Sequence, residues 1–326
     1  PNTVGRSYDV SFSTDYTTWS EPRFIFGMDP DEDQVMAVDV VRRRLGDPSL
    51  ANPLFVDPDP ATGWHHQDAD ELEATWRCEC YNFGVIPYAG LYLGLITVFY
   101  PTGQRLPERR NTDGFNLIQL AVSRDLETWE RLGDRRPFLE PSPVTDGLVG
   151  NYDRVQLAAY NGFVEHDDEI RFYYTGMKRR VPQHDRWLDG SPRDPQSLSD
   201  SERADWLEDT HSAMCLAVLR RDGFVSLDAD ARGDGGWVLT RPITVSGPTL
   251  YLNLEAPEGE ARVEILDDER KPIPGFSGAD AGRALGDGVG VRVHWSGGEP
   301  LDALAGRSVR FRIHLRNASL YAFWTE

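Results

Sequence analysis

Ser13-Thr14-Asp15-Tyr16-Thr17-Thr18-Trp19 recurs as Ser123-Arg124-Asp125-Leu126-Glu127-Thr128-Trp129, matching at the Ser, the Asp, the second Thr and the Trp. Each copy follows a β-like run, Tyr8 to Phe12 or Leu117 to Val122. Each precedes a Pro-containing return, Glu21-Pro22-Arg23-Phe24 or Arg136-Pro137-Phe138. A degenerate third copy, Arg221-Asp222-Gly223-Phe224-Val225-Ser226, follows the run Met214 to Leu219. An Asp in such a turn can bond the backbone a few residues on, and a Trp after it can pin the returning strand. The motif is therefore a hairpin device. Its aspartates, Asp15 and Asp125, are assigned to the turn and not to chemistry.

Between the copies lie strand-like runs: Phe83 to Pro87, Leu91 to Phe99 and Leu117 to Val122, then Val155 to Val164, Ile170 to Thr175 and Met214 to Leu219. Repeated antiparallel sheets joined by such hairpins are propeller blades. Two polar insertions, about Asp29 to Glu73 and Arg179 to Thr210, interrupt the spacing; Ser197 to Glu202 in the second suggests the cap of a short helix through Trp206. After Leu227 the pattern changes. Gly-rich turns separate short runs at Trp237 to Thr240, Leu250 to Leu254, Ala261 to Leu266, Val289 to Trp295, Val309 to Leu315 and Leu320 to Trp324. Arg310-Phe311-Arg312-Ile313-His314-Leu315 alternates with period two, the pattern of a sandwich strand with one wet face. The expected fold is all-β, with propeller blades over 1–227 and a β-sandwich over 228–326.

Composition narrows the function. Asp and Glu number 53 against 34 basic residues, a net charge of −19, and Lys178 and Lys271 are the only lysines. Concentrated salt screens self-repulsion to a few Å, so such a surface suits a halophilic protein; an acidic protein from a GC-rich genome is the plainer alternative. Nucleic acid is excluded as a partner because phosphate binding needs a basic face. No run approaches the ~20 apolar residues of a membrane helix. Cys78, Cys80 and Cys215 make no disulfide framework and no zinc set, which favours reduced thiols and a reducing, cytoplasmic compartment. The chain starts at Pro1 inside what reads as structured sequence, so secretion stays open. No metal or cofactor is expected.

The hairpins SFSTDYTTW and LAVSRDLETW, the run YAGLYLGLITVFY and the junction LAVLRRDGFVSLDA together resemble the glycoside hydrolase family 32-like proteins of bacteria and archaea. The tail GPTLYLNLEAPEGEARVEILDDERKPIPGF with VRFRIHLRNASLYAFW is similar too. The resemblance covers nearly the whole chain outside the insertions. It implies a five-bladed propeller glycosidase, with a catalytic aspartate on the first blade in a segment like Trp-x-Asn-Asp-Pro-Asn-Gly. No such segment is present. About two and a half blades are expected here, the ring being completed by a preceding segment or by oligomerisation.

Glycoside hydrolysis needs two carboxyls across the bond, about 5–5.5 Å apart for retention or ~6.5–9.5 Å for inversion. In a propeller, acids that can face one another sit at the axial end of each innermost strand. Glu79, between Cys78 and Cys80, is one candidate, with a structural ion pair, for instance to Arg77, as its alternative. Its Glu-Cys pair resembles the dipeptide carrying the family's general acid. Asp153, in Gly150-Asn151-Tyr152-Asp153-Arg154, is the matching acid one sheet later, or else a turn aspartate. Tyr81, Gln119, Arg154, Gln156 and Tyr174 are candidate readers of sugar hydroxyls, and His184 and Trp187 a candidate stacking lid. His65-His66 reads as solvated. Two functions follow: a glycoside hydrolase using paired carboxylates, or a carbohydrate-binding or scaffolding propeller that does not cleave. Phosphorolysis would need a basic pocket, for which only Arg154 and Arg179-Arg180 offer themselves.

Overall fold

Both full copies of the hairpin close through the same carboxylate bonds in the computed structural model. Asp15 Oδ1 accepts the backbone N–H groups of Thr17 and Thr18 at 2.8 and 2.7 Å; Asp125 Oδ1 accepts those of Glu127 and Thr128 at 2.9 and 2.7 Å. The residue after each Asp, Tyr16 or Leu126, takes a left-handed backbone with φ 58 or 68°. Ser13 and Ser123 donate through Oγ to the same carboxylates. These backbone bonds hold both carboxyls at a pKa of about 2.

The structure describes residues 4–46, 78–103, 113–142, 152–153, 156–159, 161–177, 212–230, 235–296 and 301–326. The suggested helix through Trp206 lies outside them. The chain divides into two compact units, 1–163 with 172–217, and 164–171 with 218–326.

In the first unit β1 (Val4–Val10) and β2 (Arg23–Met28) flank the first hairpin as an antiparallel pair. Then comes α1 (Glu32–Gly46), followed by β3 (Glu79–Tyr88), β4 (Leu91–Gly103), β5 (Asp113–Ser123) and β6 (Trp129–Arg131). The last four form a meander in the order β3-β4-β5-β6, with the second hairpin joining β5 to β6. Trp129 packs edge-to-face on Phe83 of β3, ring centroids 4.7 Å apart. Gly94 of β4 lies beneath both rings, where any Cβ would meet them at 2.5–2.9 Å. Next in the chain, β7 (Gln156–Ala159), β8 (Val164–His166), β9 (Glu169–Met177) and β10 (Ser212–Arg220) form a further sheet, with β7 and β8 both on β9 and β10 along its other edge; β8, residues 169–171 of β9 and 218–220 of β10 are counted with the second unit.

α1 stands where the sequence suggested only a polar insertion. Its start is capped reciprocally: Asp29 Oδ1 accepts from the N–H of Asp31 and Glu32, and Asp33 Oδ2 accepts from the N–H of Asp29. This satisfies donors that a helix start leaves unpaired. Ala37 and Val41 then join Phe26, Met28, Cys80, Phe83, Ile96 and Phe115 in the core. Asp33 is buried and forms ion pairs with Arg131 at 2.8 Å and Arg135 at 3.1 Å. Arg131 also donates to the amide oxygen of Gln119.

From Leu227 on, the second unit is one sheet with its own core. Its strands are β11 (Leu227–Ala229), β12 (Gly236–Leu239), β13 (Ile243–Thr244), β14 (Leu250–Leu266), β15 (Gly282–Arg292), β16 (Ser308–Arg316) and β17 (Ala318–Thr325). Leu250 to Leu254 and Ala261 to Leu266, expected as two strands, are a single 17-residue strand, β14. Its first half pairs with β17 and its second with β16. Between the halves, at Pro257-Glu258-Gly259, the register with β15 shifts. Gly259 is obligatory there, since a Cβ would meet the Asn317 carbonyl oxygen at 1.9 Å. Leu252, Leu254, Val263, Ile265, Phe311 and Ile313 fill the interior. The described protein is all-β apart from α1.

Two outcomes follow. The hairpin carboxyls have folded pKa values below the ordinary aspartate value near about 3.9, so their contribution is complete above that pH and is lost as pH falls toward 2. Carboxyl NMR titration should find Asp15 and Asp125 near 2, with both hairpins intact at pH 5. Replacing Asp33 with Ala leaves Arg131 buried without its carboxylate, and should lower stability by about 3–5 kcal/mol in urea unfolding.

Candidate functional site

Glu79 opens β3, with Cys78 and Cys80 buried on either side of it. Both thiols are free, and burial pushes each up to about 12. The β3–β4 ladder pairs Cys80 with Val98 and Asn82 with Thr97, leaving Tyr81 as an extra residue in a bulge. Bulges re-aim side chains and recur beside active sites. Here the bulge leaves the Tyr81 ring half exposed while its carbonyl oxygen accepts the Tyr8 hydroxyl at 3.1 Å.

β1 supplies the rest of the cluster. Arg6 Nη1 lies 3.1 Å from Glu79 Oε2, and its guanidinium carbon stands 5.2 Å from the Tyr81 ring centroid. Gly5, at φ +67°, lets the strand pass: a Cβ there would meet the Glu79 side chain at 2.5 Å. The Glu79 side chain is 19% exposed and that of Arg6 55%. A partly sheltered carboxylate, a guanidinium and an aromatic face thus stand side by side. The sequence suggested an ion pair for Glu79 but looked to Arg77, which lies outside the described residues; the partner is Arg6, 73 positions away in the chain. One clue to the bulge was available: apolar positions run Cys78, Cys80, then Phe83, a change of parity within one strand.

Asp153 sits in a second cluster. It is 4% exposed, and its Oδ2 accepts from Tyr174 Oη at 2.8 Å, Ser142 Oγ at 2.7 Å and Ser142 N at 3.2 Å. Burial, then the bond to Asp153, raises the Tyr174 phenol above the usual tyrosine range. Cys215 is raised likewise, by burial and by the Asp153 charge. Gly176 permits this crowding, because a Cβ would meet both Asp153 and Cys215 Sγ at 2.8 Å.

The other candidates are scattered. Gln119 is buried in β5, its amide donating to the Tyr100 hydroxyl at 2.8 Å and accepting from Arg131, a placement that serves the fold. Gln156 pairs through its backbone with Met177 in the β7–β9 ladder. Arg154, His184, Trp187, His65 and His66 lie outside the described residues. Among the described residues no cluster of three metal-ligating side chains occurs, and no helix is long and apolar enough to cross a membrane.

No protein-family model and no curated protein matches the chain. Solved structures are similar at a distance, two of one enzyme among them. Both are of the GH32 β-fructofuranosidase BmSUC1 of Bombyx mori. A mutant form in complex with sucrose matches at 10% identity and TM-score 0.18, covering 76% of this chain and 66% of that one. The other form matches at 10% identity and TM-score 0.15, covering 77% and 66%. The chain thus spans just under two thirds of those enzymes' length. At TM-scores this low the likeness carries no argument, and the all-β architecture rests on the strands described above.

The Asp153 cluster has a measurable role in stability. Asp153→Ala removes the acceptor of three hydrogen bonds, that of the buried Tyr174 hydroxyl among them, and should cost about 1–3 kcal/mol for each buried group left unsatisfied. Asp153→Asn, which keeps an oxygen acceptor, should recover part of that loss in the same thermal-unfolding assay.

Proposed function

We propose that the protein acts on carbohydrate, as a glycoside hydrolase of the five-bladed propeller type, with Glu79 as its working carboxylate. The Tyr81 bulge carries this reading. It sets an aromatic face beside Glu79 and Arg6, and sugars are held by aromatic faces together with charged groups that bond their hydroxyls. In this mechanism Glu79 is the general acid, which requires its carboxyl protonated and out of the Arg6 ion pair when it gives its proton to the leaving oxygen, while a second carboxylate across the bond activates water or attacks the sugar. Asp153, the matching acid one sheet later, is the nominee within this chain, with Tyr174 as the group that orients it.

One observation favours a second reading. The Asp153 carboxylate already accepts three hydrogen bonds from Ser142 and Tyr174 and is almost fully enclosed. A carboxylate so engaged suits a propeller that binds sugar without cleaving it.

The two readings separate in one experiment. Hydrolysis of fructosides, arabinosides and related glycosides is measured in high salt for the protein and for Glu79→Gln, alongside calorimetric binding of the same sugars. The hydrolase reading expects turnover that falls about 10²–10⁴-fold in Glu79→Gln while binding persists. Binding without turnover, weakened by Tyr81→Ala, selects the non-catalytic module. Neither binding nor turnover on any sugar removes the carbohydrate reading.

A further inference from the structure

In the second unit one line of cross-strand partners runs over four strands. Trp237 of β12 stands opposite His314 of β16, His314 opposite Arg262 of β14, and Arg262 opposite Arg283 of β15. Arg283 in turn exchanges both backbone hydrogen bonds with His294, at 2.9 Å each way. Directly opposed residues point to the same side of a sheet. Their chain neighbours Val263, Ala284, Val293, Ile313 and Leu315 are buried, so the five side chains of the line share the outer face. Trp237 is 64% exposed, and Arg283 and His294 are exposed as well.

This line inverts the charge of the chain, which is −19 overall. Like charges directly opposite one another weaken a sheet, so Arg262 against Arg283 runs counter to what the fold alone favours. The acids of β14 on the same face flank the line and are taken up by neighbours. Glu264 Oε2 lies 3.0 Å from Arg312 Nε and 3.1 Å from His314 Nε2, and Glu260 Oε1 lies 3.1 Å from Arg316 Nη2. Neighbouring strands stand about 4.7–4.9 Å apart, close to the advance of one sugar unit in an extended polysaccharide. A polymer laid across the strands therefore sets successive sugars over successive residues of the line. An indole offers an apolar face to a sugar ring, and a guanidinium matches a carboxylate with two parallel bonds.

We propose that this face binds an acidic polysaccharide, a polymer of uronate sugars, laid across β12, β16, β14 and β15. Trp237 stacks on one sugar ring, and Arg262 and Arg283 pair with carboxylates further along. All of these residues belong to the second unit. The site uses neither Glu79 nor Tyr81, and it stands whether or not that cluster cleaves sugar.

The full 326-residue chain is titrated with polygalacturonate by calorimetry at about 0.15 M salt, where screening confines charge effects to about 8 Å. Saturable binding is expected. The carboxyl-reduced polymer, with the same backbone and no charge, should bind at least about tenfold more weakly, an arm that leaves the protein unaltered. Arg283→Glu and Trp237→Ala should each weaken binding of polygalacturonate by a similar factor, with thermal unfolding as the check that the fold survives. Absence of saturable binding overturns the proposal, as does equal binding of the reduced polymer. Equal binding of single-stranded DNA, lost alike in Arg283→Glu, would make the face a general polyanion surface and overturn it too. Binding lost in Tyr81→Ala but kept in both second-unit variants would place the polymer at the Glu79 cluster, with the same consequence. Sedimentation of the chain alone completes the test: a dimer that Arg283→Glu dissolves would assign the face to a second copy and overturn the proposal.

Discussion

A single carboxylate oxygen accepting two consecutive backbone N–H groups sets the geometry on which the first unit is built. Asp125 draws in the N–H groups of Glu127 and Thr128, which forces the preceding residue into the left-handed region and turns the chain back within seven residues. The reversal delivers Trp129 over Gly94 and against Phe83, so the turn and the sheet interior are one construction. Phe83 also touches Phe26 of β2 at 4.9 Å and Tyr8 of β1 at 5.7 Å. Through those rings β1 is held against β3, and Arg6 reaches Glu79. The candidate site therefore depends on a turn whose own acid takes no part in it.

The repeat made the hairpins and the adjoining strands readable, because a turn carried by one side chain leaves a local signature. Period-two alternation did the same for Ser308–Arg316, whose residues from Val309 to Leu315 point alternately inward and outward. What escaped was set by contacts distant in sequence. α1 looked like insertion because the acidic run Asp29-Pro30-Asp31-Glu32-Asp33 leads into it; yet one of those acids, Asp33, is buried only because Arg131 and Arg135, about a hundred residues on, meet it. β14 read as two strands because Pro257 and Gly259 are punctuation locally, whereas the close approach of Asn317 makes that glycine part of a continuous strand. At the candidate site Glu79 and Tyr81 were legible as chemistry, but Arg6 was not, since nothing near it in the chain marks it as their neighbour.

The near-absence of lysine takes on a structural meaning. Guanidinium groups lie over aromatic rings in both units: Arg6 on Tyr81, Arg23 on Phe12, Arg44 on Phe115, Arg131 on Phe26 and Arg220 on Tyr321, at 4.6–5.8 Å. A flat, weakly hydrated cation can stack and still donate in its own plane, which a compact ammonium cannot. Arg131 does both, stacking on Phe26 while donating to Asp33 and Gln119. In so acidic a chain, arginine is thus a packing residue as much as a counter-charge.

The long β14 strand couples the parts of the second unit. Because one uninterrupted backbone pairs with β17 along its first half and β16 along its second, neither half can separate from its partners without disturbing the strand they share. The unit should consequently behave as a single cooperative foldon, its amides exchanging with solvent by one common opening and not layer by layer.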